Sequence, residues 1–211
     1  MHKEQGNLMK DAILKQIRLL PAFLAVCCMP IILAGCEANV PRQEFPEITY
    51  SHISPLELNV GVLDIVVDYQ PPLKAPNVEH LFPVSPETAL RRWADDRLAN
   101  HGQDGVARFI IIDASVRETA LKMKTGLMGV FTKEQSERYE ANIETMLEIL
   151  DSQGVRKAYA TARVGNTLTV REDATVNERE QAWFNLTETL MKDFNREMES
   201  NIRKHLVNWI K

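Results

Sequence analysis

The stretch Arg138-Tyr139-Glu140-Ala141-Asn142-Ile143-Glu144-Thr145-Met146-Leu147-Glu148-Ile149-Leu150 can be read in two ways, and the choice decides the fold. Tyr139, Ala141, Ile143, Thr145, Leu147 and Ile149 alternate with Glu140, Asn142, Glu144 and Glu148, the period of a strand with one face in water. Tyr139, Ile143, Met146, Leu147 and Leu150 also fit a helical stripe. The residues immediately downstream favour the strand. Asp151-Ser152-Gln153-Gly154 is a tight turn that leads into a second alternating run, Val155 to Val170, so the pair reads as a hairpin. In that second run Ala158, Ala160, Ala162 and Val164 share one face, and a row of alanines lets a helix lie close to the sheet.

Upstream, Phe109-Ile110-Ile111-Ile112 within Val106–Leu121 is rich in branched residues and too short for a buried helix, which predicts a central strand. Ser85-Pro86-Glu87 starts a helix, with Ser as N-cap, Pro at the first position and an acid in the first turn. Its apolar stripe is Ala89, Leu90, Trp93, Ala94 and Leu98, with Arg91, Arg92, Asp95 and Asp96 facing water and His101-Gly102 as the stop. Leu56 to Tyr69 alternates in two sets whose phase slips at Gly61-Val62-Leu63, predicting one long strand with a bulge. Downstream, Asn177 to Ile210 carries Trp183, Leu186, Leu190, Phe194, Met198, Ile202, Leu206 and Trp209 at steps of three and four, a long helix capped by Asn177. The order is strand, helix, three strands, helix. It predicts an α+β two-layer sandwich, a sheet of about four mainly antiparallel strands with both helices on one face.

The N-terminal segment has a different character. Lys10, Lys15 and Arg18 precede Leu19–Ala34, a sixteen-residue run without charge that Pro21 and Pro30 interrupt. A basic region, a short apolar core and a small-residue cleavage site mark a secretory signal. A membrane-spanning helix, the competing reading, needs about 20 apolar residues and tolerates interior prolines poorly. The run closes on Leu33-Ala34-Gly35-Cys36, which resembles the lipobox of bacterial lipoproteins. Cys27 and Cys28 fit that pattern less well, since Val26 stands where Cys27 would need a small residue, and Met9 is an alternative start. The resemblance implies cleavage after Gly35 and diacylglycerol on Cys36, giving residues 1–35 as signal peptide. Residues 36–55 then form a proline-containing tether and 56–211 a single periplasmic domain. Two or more acyl chains anchor stably where one does not. Glu37, in place of the Asp associated with inner-membrane retention, favours the outer membrane on the same resemblance.

Removing residues 1–35 takes four of the 25 basic and two of the 29 acidic residues, leaving a net charge of −6. That acidic balance, without a basic run, argues against nucleic acid as a partner. Cys36 is then the sole cysteine, so the mature chain can form no internal disulfide and no zinc thiolate cluster. All eight prolines after the signal lie between Pro41 and Pro86, which separates an irregular first part from continuous regular structure.

Element order and length over 56–210 resemble two groups of small bacterial lipoproteins: the auxiliary lipoproteins of ABC-type lipid transport systems, and the lipopolysaccharide-assembly lipoprotein. Both imply a non-catalytic accessory or binding subunit of an envelope machine. The partners expected are the membrane through Cys36 and an envelope protein, with a lipid as a second candidate ligand. No residue beyond Cys36 carries over. Within the domain, Leu127, Met128, Val130 and Phe131 lie between glycines in a connection between strands, where apolar side chains suit contact with a partner or membrane. The alternative is that they fold back over the sheet edge. His52, His80, His101 and His205 have no second ligand at metal spacing, so no metal or cofactor is expected. Asp64, Asp68 and Asp113 lie on predicted strands, and Ser115 lacks the glycines of a nucleophile elbow, so no catalytic residue is assigned. A lipid- or glycan-active enzyme and a purely structural envelope lipoprotein remain the alternative classes.

Overall fold

Residues 138–150 are strand. The computed structural model describes residues 43–121 and 135–211, and in it the fold-deciding stretch lies within Gln135–Leu150. The elements in chain order are β1 (Leu56–Leu58), β2 (Val62–Val67), α1 (Pro86–Arg97), β3 (Leu98–Asn100), β4 (Val106–Ala120), β5 (Gln135–Leu150), β6 (Arg156–Arg171) and α2 (Val176–His205). The main sheet has the order β2-β4-β5-β6, with β2 and β4 parallel and the other two pairings antiparallel. Strands β1 and β3 form a separate two-stranded parallel sheet. The molecule is therefore the expected α+β sandwich, with a mixed main sheet and one small sheet that the sequence did not announce.

The alternation in β5 works as the pattern requires. Tyr139, Ala141, Ile143, Thr145, Leu147 and Ile149 are buried on the helix side, where they join Ala107, Phe109, Ile111, Ala114 and Val116 of β4. The opposite face is charged: Arg108 meets Asp64 at 3.3 Å and Glu148 at 3.4 Å, while Arg163 meets Glu144 at 2.6 Å. One face in water and one on the core is how antiparallel strands come to alternate. Beneath α2, Ala160 and Ala162 of β6 are buried, and the space above them is filled by Phe194, Met198 and Ile202, all at 0 % exposure. At about 1.5 Å per residue α2 spans about 45 Å, and fifteen- to sixteen-residue strands span about 50 Å, so helix and sheet match in length.

Four local expectations are corrected. Leu56–Tyr69 is two strands in two sheets and not one bulged strand, because the chain turns at Asn59-Val60-Gly61 and crosses between sheets. The phase slip is that crossing. There Gly61 and Gly102 let two loops touch: a Cβ at Gly61 would sit 2.5 Å from the Gln103 carbonyl oxygen, and one at Gly102 would sit 2.4 Å from the Val60 nitrogen. The irregularities of the main sheet lie elsewhere: between Ile111 and Asp113 in the β4–β5 pairing, and at Gln135/Glu137 and Ile149/Leu150 in the β5–β6 pairing.

Helix α1 begins as read, with Ser85 Oγ accepting from the Thr88 N–H at 3.2 Å, but it ends at Arg97. Leu98 turns extended, and Leu98–Asn100 pairs with Leu56–Leu58, whose open edge supplies more backbone hydrogen bonds than a frayed last turn would. Helix α2 starts two residues earlier than expected. Thr175, not Asn177, is the cap, in a capping box with Glu178. It ends at His205, and Trp209 sits in a short 3-10 turn that returns Ile210 to a bridge with Leu58.

Candidate functional site

Cys36, Leu127, Met128, Val130 and Phe131 lie outside the described residues. Where the chain enters and leaves the connection carrying the last four is nevertheless defined. Leu121 donates its N–H to the Ser136 carbonyl at 2.8 Å, and next to that pair Glu137 accepts from Arg179 of α2 at 3.0 Å. The connection therefore emerges at the end of the sheet where α2 begins.

The histidines and carboxylates weighed in the sequence do not converge. His52, His80, His101 and His205 are all exposed. Asp64 is held by Arg108 on the charged sheet face, and Asp113 accepts the N–H of Ser115 at 3.0 Å within its own strand. Among the described residues there is no group of three or more metal-ligating side chains. The most buried carboxylate is structural in its contacts. Glu79 receives the Tyr69 hydroxyl at 2.6 Å and the Val116 N–H at 3.1 Å, which ties the proline-rich loop to β4. Burial, together with that bond to Glu79, raises the Tyr69 phenol well above its ordinary value.

The largest departure from the sequence reading lies just before β1. Residues 43–55, assigned to the tether, pack instead across the helical layer. Phe45 stacks on Phe184 of α2 at 5.2 Å between ring centroids, and Ile48 and Tyr50 are buried. Gln43 Nε2 donates to Gln181 Oε1 at 2.6 Å. Asp96 of α1, read as facing water, accepts the Tyr50 N–H at 2.7 Å and the Thr49 hydroxyl at 2.6 Å. The Ser54 carbonyl accepts from Arg97, which is buried at 1 % exposure. Three apolar side chains in a polar-looking segment were the available signal: Phe45, Ile48 and Tyr50 need cover, and the helices provide it. Burial pushes the Tyr50 phenol up to about 12, with the nearby Glu188 adding to it.

Grooves flank this strap. One, of about 510 Å³, runs between Phe45–Ile48 and α1, apolar at Ile48, Val84 and Ala89 and rimmed by Glu87, Arg91 and Asp95. Another, of about 500 Å³, lies on the α2 side beside Tyr50, Phe184 and Lys192. Both grooves have apolar floors and charged rims.

The strap depends on Asp96. Burial works to raise that carboxyl, but the bonds from Thr49 and Tyr50 and the charge of Arg92 outweigh it and hold the group below 3.8. A carboxyl depressed in the folded state contributes stability that is complete above its unfolded value and lost as pH falls through the lower folded one. The strap should therefore loosen only below about pH 4. Asp96→Ala should loosen it at neutral pH, lowering stability by about 1–3 kcal/mol because the Tyr50 N–H and Thr49 hydroxyl lose their acceptor. Limited proteolysis should then cut within 43–53 before the sheet, and an unchanged cleavage pattern would contradict the assignment.

No protein-family model matches the sequence, and no curated protein matches it. Among solved structures, the chain is similar to a minor lipoprotein from Acinetobacter baumannii, at 16 % identity and a TM-score of 0.38, over 68 % of this chain and 94 % of that one. It is also similar to a dodecamer of PelC from Paraburkholderia phytofirmans, at 16 % identity and a TM-score of 0.21, over 67 % and 91 % of the two chains. At those scores neither likeness bears on what this chain does.

Proposed function

We propose that the chain is a lipid-anchored envelope lipoprotein whose periplasmic domain is a non-catalytic accessory or binding subunit of an envelope transport or assembly machine. The observation that carries this reading is Leu33-Ala34-Gly35-Cys36 at the end of a sixteen-residue uncharged run. Two features of the domain are consistent with it. Among the described residues no helix is long and apolar enough to cross a membrane. The described residues share an apolar core from Ile48 to Leu206 that contains no cysteine. The outer membrane is the proposed location, from Glu37, and Leu127, Met128, Val130 and Phe131 are the proposed partner contacts.

Cys36→Ser tests the address. The parent N-terminal peptide should carry acyl mass on Cys36, and the protein should sediment with membranes. The variant should lose both, while its domain melts at the parent temperature. A variant that stays membrane-bound as an uncleaved precursor, resistant to alkali and salt, would make the apolar run a true anchor. For the accessory role, photo-crosslinkers at positions 127, 128, 130 and 131 in intact cells should capture one defined envelope component.

A further inference from the structure

The lipid anchor and the folded domain are separated by very little chain. Cys36 and Gln43 are seven residues apart, and an extended chain covers at most about 3.3–3.6 Å per residue, so the two lie within about 25 Å of each other whatever path residues 37–42 take. Gln43 is bonded to Gln181, in the second turn of α2, and Phe45 is stacked on Phe184. The chain thus leaves the domain at the end where α2 begins and β6 ends. Helix α2 is about 45 Å long, so its C-terminal end cannot face the bilayer while the other end points away: the leash is too short.

We propose that this end of the domain is a bilayer-docking surface, pressed against the headgroups of the membrane that holds the acyl chains of Cys36; the proposal rests on the lipoprotein reading above. Among the described residues two exposed apolar side chains lie at this end. Leu81 is 54 % exposed and borders a groove shared with Gln43 and Glu180, and Val176, the first residue of α2, is 72 % exposed. A domain lying on its side would instead present either the charged sheet face with Arg108, Glu148 and Arg163 or the charged rim of the strap groove. Three of the described charged side chains at this end are engaged within the domain. Glu178 is folded back into its capping box, Arg179 is held by Glu137, and Arg171 is held by Asp173 at 3.3 Å. Among the described residues this end gathers no cluster of unpaired basic side chains, so docking is assigned to the short leash and apolar contact and not to anionic lipid, whose attraction needs such a cluster.

The cysteine content makes the test clean. In the lipidated protein the Cys36 sulfur is a thioether, so one introduced cysteine is the only thiol of the mature chain. Leu81→Cys and Val176→Cys place a fluorophore at the proposed surface. Val155→Cys, in the β5–β6 turn, and Val207→Cys, beyond α2, place it at the other end, and both native side chains are exposed. Each lipidated variant is reconstituted into phosphatidylcholine vesicles containing a nitroxide-headgroup lipid. Quenching at 81 and 176 should be several-fold greater than at 155 and 207. Inserting twenty Gly/Ser residues after Arg42 should bring the proximal signal down to the distal level. Equal quenching at all four positions, stronger quenching at the distal pair, or no effect of the insertion would overturn the orientation. Acyl mass on Cys36 is measured on the same samples. Its absence would overturn the lipoprotein reading itself and the orientation with it, whereas its presence with equal quenching overturns the orientation alone.

Discussion

Glu199→Leu should lower the stability of the domain by about 3–5 kcal/mol, against a total of about 5–15 kcal/mol for a folded domain. The reason lies in Arg97, 1 % exposed in the last turn of α1. Its guanidinium donates to Glu199 Oε2 at 2.8 Å, to Asn195 Oδ1 at 3.3 Å and to the Ser54 carbonyl, so it joins α1, α2 and the strap at one point. Only Glu199 among these partners carries the opposing charge. Removing it leaves a cation out of water with neutral acceptors alone. Glu199 itself is 27 % exposed and has a second partner in Arg203 at 2.7 Å, so a carboxylate left behind by Arg97→Met suffers less. The double variant Arg97→Met with Glu199→Leu should regain much of the loss, since no charge is then buried. Urea unfolding of the three variants reads the difference. A single variant within about 1 kcal/mol of the parent, or a double variant no better than Glu199→Leu, would show that the pair is not what locks the layer.

The same pair gives the pH dependence a direction. Burial raises the Glu199 carboxyl, but the bond from Arg203 and the charge of Arg97 outweigh it and keep the group below 4.5. Its contribution is complete above that value and is lost as the solution is acidified through the lower folded value. Asp96 behaves in the same sense, so acid should weaken both the strap and the α1–α2 contact.

The layers of this fold were legible because they obey short-range patterns. Alternation in Tyr139–Ile149, the alanines of β6 and the Ser85-Pro86 start each depend on neighbours within a few residues. Arg97, Asp96 and the β1–β3 pair depend on partners tens of residues away or more: Glu199, Tyr50, and Leu56–Leu58 against Leu98–Asn100. Nothing local marks such residues. A charged side chain at the edge of an amphipathic stripe reads as solvated, and a three-residue strand is too short to show a period. The strap is hidden for the opposite reason: its prolines signal irregular backbone, and in a sequence irregular backbone looks the same whether it hangs free or is packed. For the candidate site, Cys36 is assigned from a linear processing pattern that needs no fold, and it rests on the sequence alone. Leu127–Phe131 rests on sequence alone.

Trp93→Ala should lower stability by about 3–5 kcal/mol, the range for emptying a fully buried indole site. Trp93 is at 0 % exposure, with its ring 5.5 Å from Phe109 of β4 and 5.0 Å from Phe194 of α2, and its Nε1 donates to Asn195 Oδ1 at 2.9 Å. The walls of the resulting cavity belong to three different elements, each fixed by its own hydrogen-bonded backbone, so the site cannot collapse to refill it. Asn195 would keep its bond from Arg97 Nε, which confines the loss mainly to packing. Trp93→Phe should recover part of the difference through the aromatic contacts alone. A Trp93→Ala midpoint within about 1 kcal/mol of the parent, at unchanged denaturant slope, would place the core elsewhere. This variant also separates fold from address. On the proposed lipoprotein reading, lipidation depends on residues that precede the domain, so the Trp93→Ala chain should still acquire acyl mass on Cys36 and sediment with membranes while its domain melts early. Cys36→Ser should do the reverse, keeping the melt and losing the membrane.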